Sequence, residues 1–423
     1  MARRGPIRFS RSARLTPRGA TLAAVGVASV IGAYSTGRSE LIYLGCLTLL
    51  LPALAVAFAR FRRVGLTVTR SFRPEPVEVG RPAVVDLTIA NGHQRPTPQV
   101  EWRDYRPWAS GGSESRMLPP LAARGSRGAT ARLRYDLVPP HRGEFPIGPL
   151  GVRLADPFGL AKGEVAVGAV DWLVVTPVIR ELPDTGLAIL ASDGASLLVR
   201  RAIGGEDDLS TREYRTGDAM RRVHWRATAR HGELMVRQEE PRSHAEARVI
   251  LDTRRSGYAD HQPRAHANEQ ESESFEQAVS IAASIALHLA RGGFAVELVE
   301  TGDRQLAPVA PIEPFLRSLA TVSLDSADGE YRTGSPLTTT RPDRIHGSVF
   351  AVVSDADAPT IERLVAQRSD FDLAVALVLT WRDSVALENL RRAGWTCVPV
   401  ALGDSVEDAW RAVASLQGVR RGR

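Results

Sequence analysis

The first sixty residues carry two long apolar stretches. Ala20–Gly37 and Leu41–Ala59 contain no charged residue, and only Arg38, Ser39 and Glu40 separate them. At a rise of ~1.5 Å per residue, a helix of either length crosses most of the ~30 Å hydrocarbon core of a bilayer. The pattern therefore predicts a transmembrane hairpin, with helices at about 20–37 and 41–59, inside an N-terminal segment 1–63.

Basic residues flank this hairpin on its two outer sides. They are Arg3, Arg4, Arg8, Arg11, Arg14 and Arg18 before it, and Arg60, Arg62 and Arg63 after it. The positive-inside rule then places both termini, and the whole chain after about residue 64, on the cytoplasmic side of the cell membrane. Two alternatives stay open, namely a cleaved signal peptide over 1–37 and a hairpin buried in a soluble core.

The period of the pattern changes to two after the hairpin. Short alternating stretches such as Leu66–Thr69 and Val84–Ile89 are broken by Pro, Gly and Asn, and Asn91-Gly92 is typical of a tight turn. This spacing favours an antiparallel β-sandwich of immunoglobulin-like size over 64–180. A connecting segment, 181–246, follows it.

Strand-like and helix-like stretches alternate from about residue 247 to the end. Phe275–Ala290 has apolar residues at steps of three and four, Ser274 with Gln277 resembles a capping box, and Gly292-Gly293 ends the helix. Further strands are expected at 248–251, 295–299, 349–353, 373–379 and 396–400, with helices at about 358–368, 383–393 and 404–416. Such alternation predicts a Rossmann-type α/β domain over 247–423, with a mostly parallel sheet covered on both faces.

Composition narrows the chemistry. The formal net charge is +6, but Lys162 is the single lysine and lies in a turn, which disfavours Schiff-base chemistry. Cys46 lies in an apolar stretch and Cys397 in a predicted strand, so a disulfide framework is not expected. The sequence has no Walker loop, Gly-x-Ser-x-Gly, His-Glu-x-x-His or Cys-x-x-Cys motif, and we assign no catalytic residue.

The densest cluster of polar and aromatic residues lies between 204 and 240. Asp218 is placed to cap a helix over Ala219–Arg230, Gly232 to end it, and Leu234–Arg237 to continue as a strand. One interpretation is a partner-binding surface built from Tyr214, Arg215, Gly217, Asp218, Arg222, His224, Trp225, Arg226 and Arg230. The other is an internal clamp, in which the arginines pair with the acids of the same segment.

This segment also carries a family resemblance. The series Tyr214-x-x-Gly217-Asp218-x-x-Arg221-x-Val223-His224-Trp225 resembles the signature of the bacterial family called domain of unknown function 58. So do Asp156-Pro157-Phe158-Gly159-Leu160, Arg142-Gly143-x-Phe145 and Phe275-Glu276-x-Ala278-Val279. The resemblance covers essentially the whole chain. It implies a von Willebrand factor A-like domain at the C-terminal end and an association with MoxR-type AAA+ ATPases.

The resemblance also implies a metal site. Von Willebrand A domains bind a metal through Asp-x-Ser-x-Ser, a threonine and a further aspartate. Here Asp252 and Ser256 are kept, but Arg254 stands at the first serine, and Asp355 after a predicted strand is the further candidate ligand. Two possibilities follow: a magnesium or manganese site at Asp252, Ser256 and Asp355, or a degenerate site in which Arg254 or Arg255 pairs with an aspartate.

Three functions compete on these observations. The leading one is a membrane-tethered cytoplasmic scaffold whose A-like domain engages a MoxR-type ATPase in envelope-related assembly or maintenance, with no small-molecule substrate identified. The second is a metal-dependent hydrolase using Asp252, Asp355 and His224. The third is nucleic-acid binding through 212–237, which the acids interspersed in that stretch disfavour.

Overall fold

A computed structural model describes the chain as two compact units, which divide between Thr176 and Pro177. The described residues are 12–62, 64–109, 114–184, 211–214, 220, 223, 225–237, 246–262, 272–325, 347–380 and 384–421. Helices are α1 (Pro17–Thr36), α2 (Ser39–Phe61), α3 (Trp225–His231), α4 (Glu273–Arg291), α5 (Ile312–Thr321), α6 (Ala358–Gln367), α7 (Val385–Arg392) and α8 (Val406–Arg421).

The strands of the first unit run from β1 to β11. They are β1 (Ser12–Leu15), β2 (Leu66–Arg73), β3 (Val77–Glu78), β4 (Ala83–Asn91), β5 (Val100–Asp104), β6 (Arg116–Leu118), β7 (Thr130–Leu137), β8 (Gly143–Ile147), β9 (Leu150–Ala155), β10 (Ala161–Val167) and β11 (Asp171–Thr176). Those of the second are β12 (Thr211–Glu213), β13 (Met235–Arg237), β14 (Glu246–Leu251), β15 (Ala295–Glu300), β16 (Ser348–Ser354), β17 (Leu373–Leu379) and β18 (Thr396–Val400).

The two predicted apolar helices are confirmed as a hairpin, and both are long and apolar enough to cross a membrane. Thr16 caps α1, since its Oγ1 accepts a hydrogen bond from the Gly19 amide at 3.2 Å. Glycine lets the helices approach closely, because a Cβ on Gly45 would lie 3.1 Å from the carbonyl oxygen of Gly26. Small residues serve the same purpose between membrane helices generally.

A short strand precedes the hairpin where the sequence indicated only a basic tail. β1 pairs antiparallel with β10, from Ser12 opposite Glu164 to Leu15 opposite Ala161. Four residues are too few to show a period of two. The sheet partner, which lies far along the chain, therefore decides this element.

The rest of the first unit consists of antiparallel sheets, as the alternating pattern predicted. Strand orders are β1-β10-β9-β5-β6, β2-β4-β7 and β3-β11-β8, and among the described strands of this unit only β3 with β11 is parallel. Along β4, from Ala83 to Asn91, buried and half-buried residues alternate without a break. The buried residues of all three sheets share one hydrophobic core, which includes Leu87, Trp102 and Ile147.

The second unit contains the predicted parallel sheet. Its five strands lie in the order β15-β14-β16-β17-β18, and every neighbouring pair is parallel. Two hydrophobic clusters, one containing Trp410 and the other Trp395, bury the sheet's side chains. Alternate residues of one strand divide between these clusters, as Ala351 and Val352 do, so the sheet is covered on both faces.

Two details of this unit differ from the sequence prediction. Helix α5 was not expected. The cap of α4 is Ser272, whose Oγ accepts from the Phe275 amide at 3.0 Å, whereas the hydroxyl of Ser274 donates to Asp260. The helix begins earlier than the predicted capping box allowed, so Ser274 falls inside its first turn.

Candidate functional site

Polar side chains collect where the order of the parallel sheet reverses. The chain runs from β14 to β15 on one side of β14 and then crosses to β16 on the other side. The carboxyl ends of β14 and β16 therefore flank a switch point, where the strand order reverses. Open α/β sheets bind ligands at such a point. Asp252 directly follows β14, Asp355 directly follows β16, and Asp357 lies two residues further on.

Asp252 is fully buried and held by a threonine. Its Oδ1 accepts from the Thr301 hydroxyl at 2.6 Å and from the Arg254 amide at 3.2 Å. Its Oδ2 meets no hydrogen-bond donor among the described residues. Burial raises the pKa of Asp252 to about 7, with the Asp357 charge adding to the rise and the Thr301 hydrogen bond opposing it.

Arg254 pairs with Asp357. Its Nε lies 3.3 Å from Asp357 Oδ2, and the carboxylate is 1% exposed. Asp357 also accepts hydrogen bonds from Ser256 Oγ at 3.2 Å and from Thr360 Oγ1 at 2.5 Å. Arg254 thus pairs with an aspartate, Asp357, that the sequence did not single out.

The three residues predicted as metal ligands hydrogen-bond to three different partners. Asp252 bonds to Thr301, Ser256 bonds to Asp357, and Asp355 Oδ2 accepts from Thr380 Oγ1 at 2.6 Å. Asp355 lines a cavity of about 100 Å³ at the carboxyl ends of β16, β17 and β18, whose wall also includes the loop after β14 and the start of α4. Asp355 and Asp357 are only two positions apart in the sequence, yet their carboxylates bind different neighbours.

These groups do not fit a divalent cation. In the described part of the chain, no three His, Cys, Asp or Glu side chains lie close enough to hold a metal ion. The Arg254 guanidinium supplies the positive charge that Asp357 requires, and Asp252 is held in an environment that favours its neutral form. A second cation beside Arg254 would be repelled, so we derive no metal chemistry here.

Arg254→Ser is expected to create metal binding, because it restores Asp-x-Ser-x-Ser and frees Asp357. Magnesium or manganese should then raise the thermal unfolding temperature of the variant and leave the wild type unchanged. An ion present at ~100 times its dissociation constant would add about 2.7 kcal/mol. The measurement is a thermal shift with each ion and with chelator. Arg255→Ser, one position along, is the control, and an equal response of Arg254→Ser and wild type would contradict the argument.

The structure describes part of the signature segment, the residues between 204 and 240 that carry the family resemblance. Tyr214 donates its amide to Leu234 O at 2.7 Å, Val223 is buried opposite Val236, and Thr228 Oγ1 accepts from the Met235 amide at 3.0 Å. The helix is shorter than predicted, because Val223 pairs with a strand and α3 begins only at Trp225. Thr228 faces β13 rather than an exposed surface.

The structure describes some of the candidate partner-binding residues of this segment and not others. Tyr214 is half-buried, Trp225 is 67% exposed and Arg230 is exposed. Arg215, Gly217, Asp218, Arg222 and His224 lie outside the described residues, as does the side chain of Arg226. Both interpretations of this segment, partner surface and internal clamp, stay predictions.

Comparison with known families supports the resemblance found in the sequence. Residues 210–333 match the family described as Protein of unknown function DUF58. The match supports the DUF58 resemblance over this segment, which is less than half of the chain. The DUF58 match begins in the signature segment, continues through β14 and α4, and therefore includes Asp252, Arg254 and Ser256. No curated protein matches the chain.

Similarity to solved structures is weak. The crystal structure of a CARDB domain from Pyrococcus furiosus, in complex with di-metal ions, is 18% identical over 25% of this chain and 90% of its own, with a TM-score of 0.18. A cycloisomaltooligosaccharide glucanotransferase from Paenibacillus sp. is 12% identical over 83% of this chain and 52% of its own, with a TM-score of 0.20. Likenesses of this size show neither a shared fold nor a shared activity.

Proposed function

We propose that this chain is a membrane-tethered cytoplasmic binding protein. Its second unit, called the α/β unit below, is von Willebrand factor A-like and engages a MoxR-type AAA+ ATPase. The contact surface would be the carboxyl edge of the parallel sheet. The observation that carries the proposal is the ion pair between Arg254 and Asp357 at the switch point. It fixes polar groups at a position where related folds place a metal-dependent binding site.

The von Willebrand A-like assignment is supported by two features together. The sheet has parallel strands in the order β15-β14-β16-β17-β18, and the chain carries Asp252 and Ser256 at Asp-x-Ser-x-Ser spacing directly after β14. The DUF58 match covers that stretch. Neither feature alone would separate this fold from other open α/β sheets.

Protein binding suits this edge better than catalysis does. Arg254 and Asp357 satisfy each other, which leaves neither poised to act on a substrate. The nearby cavity of about 100 Å³ is small beside the ~300–1,000 Å³ typical of small-molecule sites. Ser256 is exposed at the rim, so a partner surface could reach it.

The helical hairpin supports the proposed position of the binding surface on the cytoplasmic side of a membrane. Its basic outer ends favour an orientation with both termini inside the cell, which would put the α/β unit within reach of a cytosolic ATPase. The α1 and α2 stretches between Ala20 and Ala59 contain charged residues only at Arg38 and Glu40 in their connection. A charge-free interior suits a tether rather than a transport path.

The test is co-purification of the full chain with a MoxR-type ATPase from membranes of its own cell, read by quantitative mass spectrometry. Ser256→Arg, at the carboxyl edge, is expected to lose most of the ATPase recovered with the wild type. Ser369→Arg is the matched control, because Ser369 is exposed and precedes β17 at the amino edge. The proposal fails if the wild type recovers no AAA+ ATPase, or if Ser256→Arg recovers as much as the control.

A further inference from the structure

The turn Asp156–Leu160 is rigidly built and ends in an exposed aromatic side chain. Asp156 is buried, and its carboxylate accepts hydrogen bonds from the amides of Phe158 at 2.8 Å and Ala161 at 2.5 Å. Gly159 has a φ of +68°, and its amide donates to Asp156 O at 3.1 Å. These bonds hold Phe158 outward, where it is 69% exposed.

The same turn is bonded to the start of the membrane hairpin. The Thr16 amide donates to Leu160 O at 2.8 Å, and the Thr16 hydroxyl donates to Gly159 O at 2.7 Å. The contact is so close that a Cβ on Gly19 would lie 2.1 Å from Leu160 O. Thr16 is the cap of α1, so the turn meets the hairpin at its charged end.

The second helix of the hairpin touches the strand that follows the turn. A Cβ on Gly163 would lie 2.8 Å from the carbonyl oxygen of Ala59, and Ala55 and Ala59 share a small hydrophobic cluster with Leu160. Ala59 is the last residue of the apolar run, directly before Arg60. The turn therefore lies level with the boundary between apolar and charged residues in both helices.

Positive charge surrounds this boundary. The residues concerned are Arg14 on β1, Arg18 in the first turn of α1, and Arg60 and Arg62 at the end of α2. Anionic headgroups attract such juxtamembrane arginines. An exposed phenylalanine at the same level is suited to the adjoining boundary between headgroups and acyl chains.

We propose that the Asp156–Leu160 turn is a membrane-contact element that inserts Phe158 into the interface of an anionic leaflet, with Arg14, Arg18, Arg60 and Arg62 on the headgroups. The inference rests on the proposed membrane location and is independent of the ATPase. It gives a role to a motif that the site in the second unit does not use. The contact would hold the sheets of the first unit in one orientation on the bilayer.

The test places a photoreactive benzoylphenylalanine at single positions of the full chain in phosphatidylcholine vesicles, with and without phosphatidylglycerol, and measures phospholipid adducts by mass spectrometry. Position 158 is expected to label lipid several-fold more than position 117, and more strongly with phosphatidylglycerol. Met117 is a matched control, since it is 55% exposed and lies on β6, at the opposite edge of the sheet from β1.

Position 47 separates this inference from the membrane proposal, because Leu47 is 55% exposed in the middle of α2. Labelling at 47 with no more labelling at 158 than at 117 would overturn the turn's membrane contact alone. No labelling at 47 would overturn the membrane location and the inference together. Equal labelling of 158 in both lipid mixtures would overturn the assignment of the four arginines to anionic headgroups.

Discussion

Arg70→Met is expected to lower the free energy of unfolding of the first unit by about 3–5 kcal/mol, the usual cost of leaving a buried charge without its partner. The Arg70 guanidinium is fully buried and binds Asp104 through two bonds, of 2.8 and 2.9 Å. It also reaches Asp171 Oδ2 at 2.9 Å. These three residues lie in three different sheets, so the arginine ties the sheets together across the core.

The pKa shifts of Arg70 and its partners also indicate that the buried ion pair stabilises the first unit. Burial lowers the pKa of Arg70, but the hydrogen bonds and charges of Asp104 and Asp171 outweigh it and raise the pKa above its ordinary value. Tyr135 donates its hydroxyl to Asp104 Oδ2 at 2.7 Å, and burial together with the Asp104 charge raises the pKa of that phenol. The Asp104 carboxylate is 2% exposed in the folded protein, and Arg70→Met deprives it of its bidentate cation.

Amide hydrogen exchange of peptides from β4 would measure the loss, because it reports the opening free energy of one unit within the full chain. Arg134→Met is the matched control. Arg134 pairs with Asp86 at 2.8 Å in the β2-β4-β7 sheet, but its side chain is 67% exposed, and exposed pairs contribute at most about 1 kcal/mol. Similar losses in Arg70→Met and Arg134→Met would contradict the assignment of a buried, structural role to Arg70.

The pattern of apolar and polar residues predicted those strands and helices that neighbouring residues in the sequence determine. Strands of a parallel sheet buried on both faces are continuous apolar runs, so 349–353 and 373–379 pointed to β16 and β17 almost residue by residue. The period of two likewise indicated the antiparallel sheets. By contrast, Arg70 finds its acids 34 and 101 residues away, and no spacing rule links an arginine to partners that distant.

The candidate site shows the same division. The family resemblance identified Asp252, and position after a predicted strand identified Asp355, because carboxyl ends of parallel strands meet at one edge. It pointed to Asp355 and not to Asp357, the partner of Arg254, since loop backbone decides which carboxylate turns toward the arginine. The double acid Ser354-Asp355-Ala356-Asp357 was the available signal, and testing both aspartates against Arg254 would have included the correct pair.

Stability of the second unit is expected to fall as pH rises from about 4 to about 7, and Asp252→Asn should reduce this slope. Burial also raises the pKa of Glu300 on β15, which contributes in the same direction. Burial raises the pKa of Asp252 from an ordinary 3.8 to about 7. Between these values the folded state binds more protons than the unfolded state, so deprotonation favours unfolding. A difference of about three pKa units corresponds to at most about 4 kcal/mol across that window.

Hydrogen exchange of peptides from β14, corrected for the intrinsic pH dependence of exchange, would measure this slope in the wild type and in Asp252→Asn. Asp260→Asn is the control of opposite sign. Burial acts to raise the pKa of Asp260, but hydrogen bonds from Ser274 and Ser272 outweigh it and lower that pKa. Its contribution to stability is therefore present above its ordinary value and lost only as pH falls below it. Asp260→Asn should keep the wild-type slope between pH 4 and 7. A slope that is undiminished in Asp252→Asn would show that another group carries the proton.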